Sequence, residues 1–290
     1  MPGKQNPMKD VVNSLIVAAV SQRLSLRGFV FSLMTLLLFA GCGALKNGRS
    51  WGQDAVFPGD LKNISRAAHN ALFDLQTLIP AAGALIFVLD DFDGEVSDWA
   101  TDHNPIFGSD ENAQDASDVL RNVLLAESFV TALSTPSGND PKKWAYAKSK
   151  GLGVELAALG TTLGTTALLK ATTGRERPDE SDNNSFPSGH SSASFSAATL
   201  ANRNLDSIRL PKKVKRPLQV GNLILATSVA WARVEGGKHF PSDVLAGAAL
   251  GHFITAFIHD AFLGLTAEDR FGFVIISLDG GAAAQLSFHF

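Results

Sequence analysis

An all-α helical bundle followed by a short C-terminal β-hairpin is the fold class this sequence predicts, on three observations. Long Ala/Leu-rich segments repeat apolar residues at helical spacing, as at Val119, Leu120, Val123, Leu124 and Phe129. Breaks rich in Asp, Gly and Pro separate these segments at 90–94 and 135–141. Only at the tail does the period change: Phe271–Leu278 is apolar and β-branched, Asp279-Gly280-Gly281 signals a turn, and Leu286, Phe288 and Phe290 alternate.

Composition narrows the function classes. The 290 residues are 45% hydrophobic and 18% charged, with a formal net charge of −3, which excludes a mostly disordered chain. Without a long Lys/Arg run, general nucleic-acid binding is excluded as well. A single cysteine rules out a disulfide framework and any multi-Cys zinc or iron–sulfur site.

The amino end, 1–42, has the form of an export leader. Arg23 and Arg27 precede the uncharged run from Gly28 to Gly41, which is shorter than the roughly 20 apolar residues of a membrane span. That run stops at Cys42 behind Phe39-Ala40-Gly41, a partial match to the bacterial lipobox, in which the cysteine is acylated. Three readings stay open: a lipoprotein with Cys42 as the lipidation site, a plain export signal, and an uncleaved anchor. Residues 43–60, with Gly, Asn, Ser and Pro and little periodicity, read as a tether.

The body, 61–266, carries helical patterns over about 62–89, 113–135, 142–170, 188–204, 214–233 and 241–265. Its longest uncharged windows, 217–232 and 244–259, fall short of about 18 apolar residues, so a compact bundle is expected in preference to a polytopic membrane protein. The tail, 267–290, is expected to be a ribbon packed on the bundle, since one hairpin cannot close a barrel.

Three clusters between 170 and 243 carry the chemistry. In the first, Lys170 ends an apolar helix, Gly174 lets the chain turn, and Arg175, Arg177 and Pro178 follow. Taken alone, basic residues at a helix end are more often partners of the helix dipole. The second is Phe186–Ser192. Ser188 is placed to cap a helix, Gly189 allows a tight turn, and the backbone N–H groups there, with His190 in the first turn, suit an anion. The third runs from Ala232 to Asp243. Arg233 closes a helix, Pro241 suits the first position of the next, and Asp243 lies one turn in, where a carboxylate can fix the tautomer of His239. Alone, each of the last two reads equally as a capping turn or a loop histidine beside an acid. Together, in order and each at a helix end, they read as one phosphate site. No nucleotide loop, serine elbow or His-Glu-x-x-His motif competes.

These strings resemble the type 2 phosphatidic acid phosphatase superfamily, which includes lipid phosphate phosphatases, class A acid phosphatases and vanadium haloperoxidases. The pattern Lys-x6-Arg-Pro, Pro-Ser-Gly-His, Ser-Arg-x5-His-x3-Asp is met at Lys170, Arg177, Pro178, Pro187–His190, Arg233, His239 and Asp243, with Ala232 in place of the serine. The resemblance implies the family's helical bundle and a metal-free, two-step phosphoryl transfer without cofactor. In it, His239 is the nucleophile oriented by Asp243 and His190 is the general acid–base. Lys170, Arg177, Ser188, Gly189 and Arg233 bind the phosphate. The substrates implied are phosphate monoesters or diphosphates, of phosphatidate or polyprenyl type in preference to soluble esters, met at a membrane surface by an exported, periplasmic or envelope protein. The alternatives are a non-specific soluble acid phosphatase, a haloperoxidase with vanadate as cofactor, and a non-catalytic phospholipid-binding envelope lipoprotein. A metal site through His252 and His259, seven apart, is weaker than a reading of both as core or interfacial histidines.

Overall fold

The computed structural model describes residues 43–45, 48–53, 55, 61–89, 92–263, 271–278 and 281–288. The leader expectation and Cys42 therefore lie outside the described residues. Eight helices follow in chain order among those residues: α1 (Leu61–Leu72), α2 (Leu75–Leu89), α3 (Phe92–His103), α4 (Asp110–Ser134), α5 (Pro141–Thr173), α6 (Gly189–Ser207), α7 (Lys212–Glu235) and α8 (Pro241–Leu263). Two strands, β1 (Phe271–Leu278) and β2 (Gly281–Phe288), pair antiparallel with Phe271 opposite Phe288 and Leu278 opposite Gly281.

The helices at 110–134, 141–173, 189–207, 212–235 and 241–263 stand where the periodicity places them. Local chemistry sets their ends. The Ser109 hydroxyl accepts from the Asn112 N–H, and one Asp140 oxygen accepts from Lys142 and Lys143 at the start of α5. Gly174 ends α5 at φ +57, in the left-handed region that a glycine enters without steric cost.

Three local expectations are corrected. The segment 62–89 is two helices bent by 50°, because Asp74 starts a new turn by accepting from the Gln76 N–H at 2.9 Å. The break expected at 90–94 instead contains the start of α3: Asp93 and Glu95 sit in its first turn, where negative charge favours a helix start. Residues read as a tether dock on the bundle. Trp51 is fully buried in a cluster with Leu45, Ala132, Val154, Ala158 and Ile254, and its backbone N–H donates to Pro136 O at 2.8 Å.

The core is organised around α6 and α8, which pack on each other. Around this pair, α8 also meets α1, α2 and α5, while α4 and α7 pack on α6. The α6–α8 contact is close because of Gly251, where a Cβ would stand 2.3 Å from the Ser192 carbonyl oxygen. Its polar lining is paired: Ser191 Oγ donates to Val244 O at 2.6 Å, and Ser196 and Thr255 share a hydrogen bond of 2.6 Å.

By length and composition, α5 and α8 can each cross a membrane, and the bent pair α1–α2 makes a third candidate. Of the apolar window in α5 only 28% is buried, against 72% in α8. So α8 is a central helix and α5 presents apolar surface outward. In sequence, α5 holds no long uncharged run, since Lys148, Lys150 and Glu155 interrupt it. Lys148 and Glu155 are in fact buried, with the Lys148 ammonium donating to Ala132 O, Thr135 O and Thr135 Oγ1.

Candidate functional site

The three clusters meet at one end of the bundle, contributed by the end of α5, the start of α6, the end of α7 and the start of α8. Lys170 lies in the last turn of α5, and its ammonium donates to the Asn184 and Ser185 carbonyls. Ser188 is the N-cap of α6, accepting from the Ser191 N–H, and its own N–H donates to Asp243 O at 2.9 Å, which ties the α6 start to α8. Gly189 opens α6 beside the Lys170 side chain. Arg233 lies in the last turn of α7, Pro241 is the first residue of α8, and Asp243 lies in that helix's first turn.

His239 is 2% exposed and Asp243 is fully buried. The imidazole Nδ1 lies 3.8 Å from Asp243 Oδ2, outside hydrogen-bond length, and has no other partner. The opposite nitrogen, Nε2, is 3.4 Å from an Arg177 guanidinium nitrogen and so faces the cations. Burial pulls the His239 imidazole down to about 4, against the pull of Asp243 and helped by Lys170 and Arg233, so the ring is neutral at pH 7. A neutral imidazole with Nδ1 aimed at a carboxylate presents its Nε2 lone pair to an electrophile.

Asp243 is itself clamped. Its Oδ1 accepts from Arg175 at 2.8 Å, and its Oδ2 accepts from Ser185 Oγ at 2.5 Å and from the Phe240 N–H at 2.9 Å. Arg175 also donates to Ser242 Oγ and Asp93, and Asp93 binds the Ser242 backbone and hydroxyl. Asp93 is how α3 reaches the site. Neither it nor Ser185 nor Ser242 is marked by the motif spacings. Arg175 lies inside the first cluster, but nothing local assigns it to Asp243.

The cradle is strongly cationic. Lys170, Arg177 and Arg233 lie within electrostatic reach of one another. Arg177 is anchored by Asp182 at 2.7 Å and Lys238 O at 3.0 Å, while Arg233 donates to Ser117 Oγ at 3.1 Å and keeps a buried Nε without a partner. Such a concentration of cations is costly unless an anion neutralises it. Arg233 thus donates to a hydroxyl supplied by α4.

His190, in the first turn of α6, is half-buried. Its Nε2 lies 2.5 Å from an Arg121 nitrogen and 2.7 Å from Asp118 Oδ1, both on α4. Arg121 and Asp118 also pair with each other at 3.1 Å. Burial lowers the His190 imidazole to about 4, with Arg233 and Arg121 adding to the effect and Asp118 opposing it. His252 and His259 lie elsewhere and have separate partners, Asp74 and Thr199 for the first, Asp260 for the second. Among the described residues no group of three or more His, Cys, Asp or Glu could hold a metal ion.

Three comparisons bear on this arrangement. The family model of the PAP2 superfamily matches residues 152–266, which contain every motif residue above. A lipid A 1-phosphatase of Porphyromonas gingivalis is 38% identical over 78 residues, 27% of this chain. That match spans 16% of the relative's own length. Among solved structures, a transmembrane PAP2-type phosphatidylglycerolphosphate phosphatase from Bacillus subtilis aligns at 23% identity and a TM-score of 0.47, covering 68% of this chain and 94% of that one.

Proposed function

We propose that the chain is a membrane phosphatase of the PAP2 superfamily, whose family model matches residues 152–266, and that it removes phosphate from a lipid phosphate ester through a phosphohistidine on His239. The observation that carries this reading is the buried pair His239–Asp243, with Nε2 facing Arg177 and the charge of Lys170 and Arg233 around it. In the first step the Nε2 lone pair forms the P–N bond as the bond from phosphorus to the leaving oxygen breaks, and His190 gives that oxygen its proton. In the second, His190 takes a proton from water, the water oxygen attacks phosphorus, and the P–N bond breaks. Lys170, Arg177, Arg233, Ser188 and the N–H of Gly189 surround the oxygens on which charge is spread. Charge neutralisation by side chains leaves no step that needs a metal or other cofactor.

A lipid substrate is supported by the apolar outer face of α5 and by the lipid A phosphatase similarity. The chain is proposed to be held in the cell envelope, exported by its leader (1–42) and tethered through Cys42 if that thiol is acylated. The test is phosphate release from phosphatidate, a polyprenyl diphosphate, lipid A and a soluble monoester, in detergent, with and without EDTA. Faster turnover of one of the lipids, unchanged by EDTA, is expected. Activity abolished by EDTA and restored by magnesium or zinc, or confined to the soluble ester, would overturn the corresponding part of the proposal.

A further inference from the structure

The Nε2 atom of His190 has two neighbours that require opposite protonation. Arg121 can only donate, so its 2.5 Å contact needs a lone pair on Nε2. Asp118 as a carboxylate can only accept, so its 2.7 Å contact needs a proton there. One nitrogen cannot satisfy both at once. With Nε2 engaged by these two groups, Nδ1 is the ring nitrogen that remains available for a reacting group. We infer that Asp118 and Arg121 act as a two-position switch on His190: Arg121 at Nε2 holds the neutral ring, and Asp118 at Nε2 holds the protonated ring whose Nδ1–H serves the leaving oxygen.

The geometry suits such an exchange. Both switch residues stand one helical turn apart on α4 and already touch at 3.1 Å, so a shift of the guanidinium toward an anion in the cradle frees Nε2 for the carboxylate. The Asp118 side chain is 54% exposed and Arg121 25%, and Arg121 also donates to Asn122 Oδ1, so the carboxylate is the more exposed of the two. Arg233 from α7 is the other charged group that acts on the ring, while Lys170 of α5 lies beside Gly189 and the Asp243 backbone carbonyl at the α8 start accepts from the Ser188 N–H. Asp118 and Arg121 are positioning residues in this scheme, since they act on the reacting group through His190.

The inference rests on the reading of His190 as the general acid. It is tested on the detergent-solubilised full chain with two readouts. In the first, the imidazole titration of His190 is followed by NMR in the substrate-free protein. Asp118→Asn should move its midpoint down and Arg121→Gln should move it up, while Asp118→Glu should restore the wild-type midpoint. In the second, turnover of an alkyl phosphate and of p-nitrophenyl phosphate is compared. Asp118→Asn should lower kcat for the alkyl ester on the order of 10²-fold and leave the aryl ester, which needs little protonation, nearly unchanged. The basic limb of the alkyl-ester pH profile should shift as the NMR midpoint does. Equal losses on both esters, or midpoints that do not move in opposite directions, would overturn the switch. A wild-type chain that hydrolyses neither ester would instead remove the phosphatase reading, with the NMR midpoints still deciding whether the pair controls the His190 proton.

Discussion

At the scale of single residues, the two histidines of the site are distinguished by what holds them. His239 is buried with a clamped carboxylate aimed at Nδ1, whereas His190 sits half-exposed between a donor and an acceptor. His239→Ala should abolish turnover of every ester and leave no phosphoenzyme. His190→Ala should keep the first step for p-nitrophenyl phosphate, slow the second, and accumulate phosphohistidine, read as acid-labile, base-stable label after quenching. Label surviving in His239→Ala and vanishing in His190→Ala would reverse the roles. Burial of His239 also has a stability consequence whose sign is fixed by linkage. Its folded value, about 4, lies below the ordinary value near 6.5, so as pH falls through 6.5 the unfolded chain takes up a proton that the folded chain refuses. Stability from this group is complete above about pH 6.5 and falls progressively towards pH 4. The thermal midpoint should therefore drop between pH 7 and 5, and His239→Gln should flatten that drop. An equally steep drop in the variant would show that other groups cause it.

At the scale of elements, the motif helices were readable because each motif doubles as an end signal. Ser188 caps α6, Gly174 stops α5 and Pro241 starts α8, so the same residues mark both chemistry and helix boundaries. What could not be read is what joins the elements. Asp93 on α3 reaches Arg175, and Asp118 and Arg121 on α4 reach His190, across 82, 72 and 69 positions of chain. No spacing rule links residues that far apart without a folded structure. The α6–α8 contact is of the same kind and makes a testable claim. Gly251→Ala puts a methyl group against the Ser192 carbonyl, and overpacking of this sort costs about 1–3 kcal/mol. Gly153→Ala, on α5 with open space around it, should instead gain about 0.5–1 kcal/mol from reduced backbone freedom in the unfolded chain. The two thermal midpoints should move in opposite directions. A drop in both would place the constraint in the helices themselves and not in the contact.

At the scale of the whole molecule, the distribution of apolar surface weighs against the expectation of a compact bundle outside the bilayer. Leu85, Ile86 and Val88 on α2, Phe129 on α4, Leu156 and Leu168 on α5, and Val220 and Ile224 on α7 are all more than half exposed. A water-soluble monomer rarely presents so much large apolar surface, whereas for a bundle in lipid this is the outward face. The polar residues run the other way, inward: Lys148, Glu155, Asn204, His252 and Asp260 are buried between helices. Uncharged runs are a weak signal for such helices, because inward charges interrupt the run while the bundle buries them. Leu156, near the middle of α5 and 67% exposed, separates the two environments. In water, Leu156→Lys is a surface exchange worth within about 0.5 kcal/mol either way. In lipid, it places a charge near mid-span, at a cost of about 2.5–3.5 kcal/mol. Membrane-integrated, detergent-extractable protein should therefore fall sharply in Leu156→Lys, while Leu156→Phe should keep wild-type levels. Unchanged yield and integration of the lysine variant would place α5 outside the bilayer and return the molecule to a bundle resting on the membrane surface.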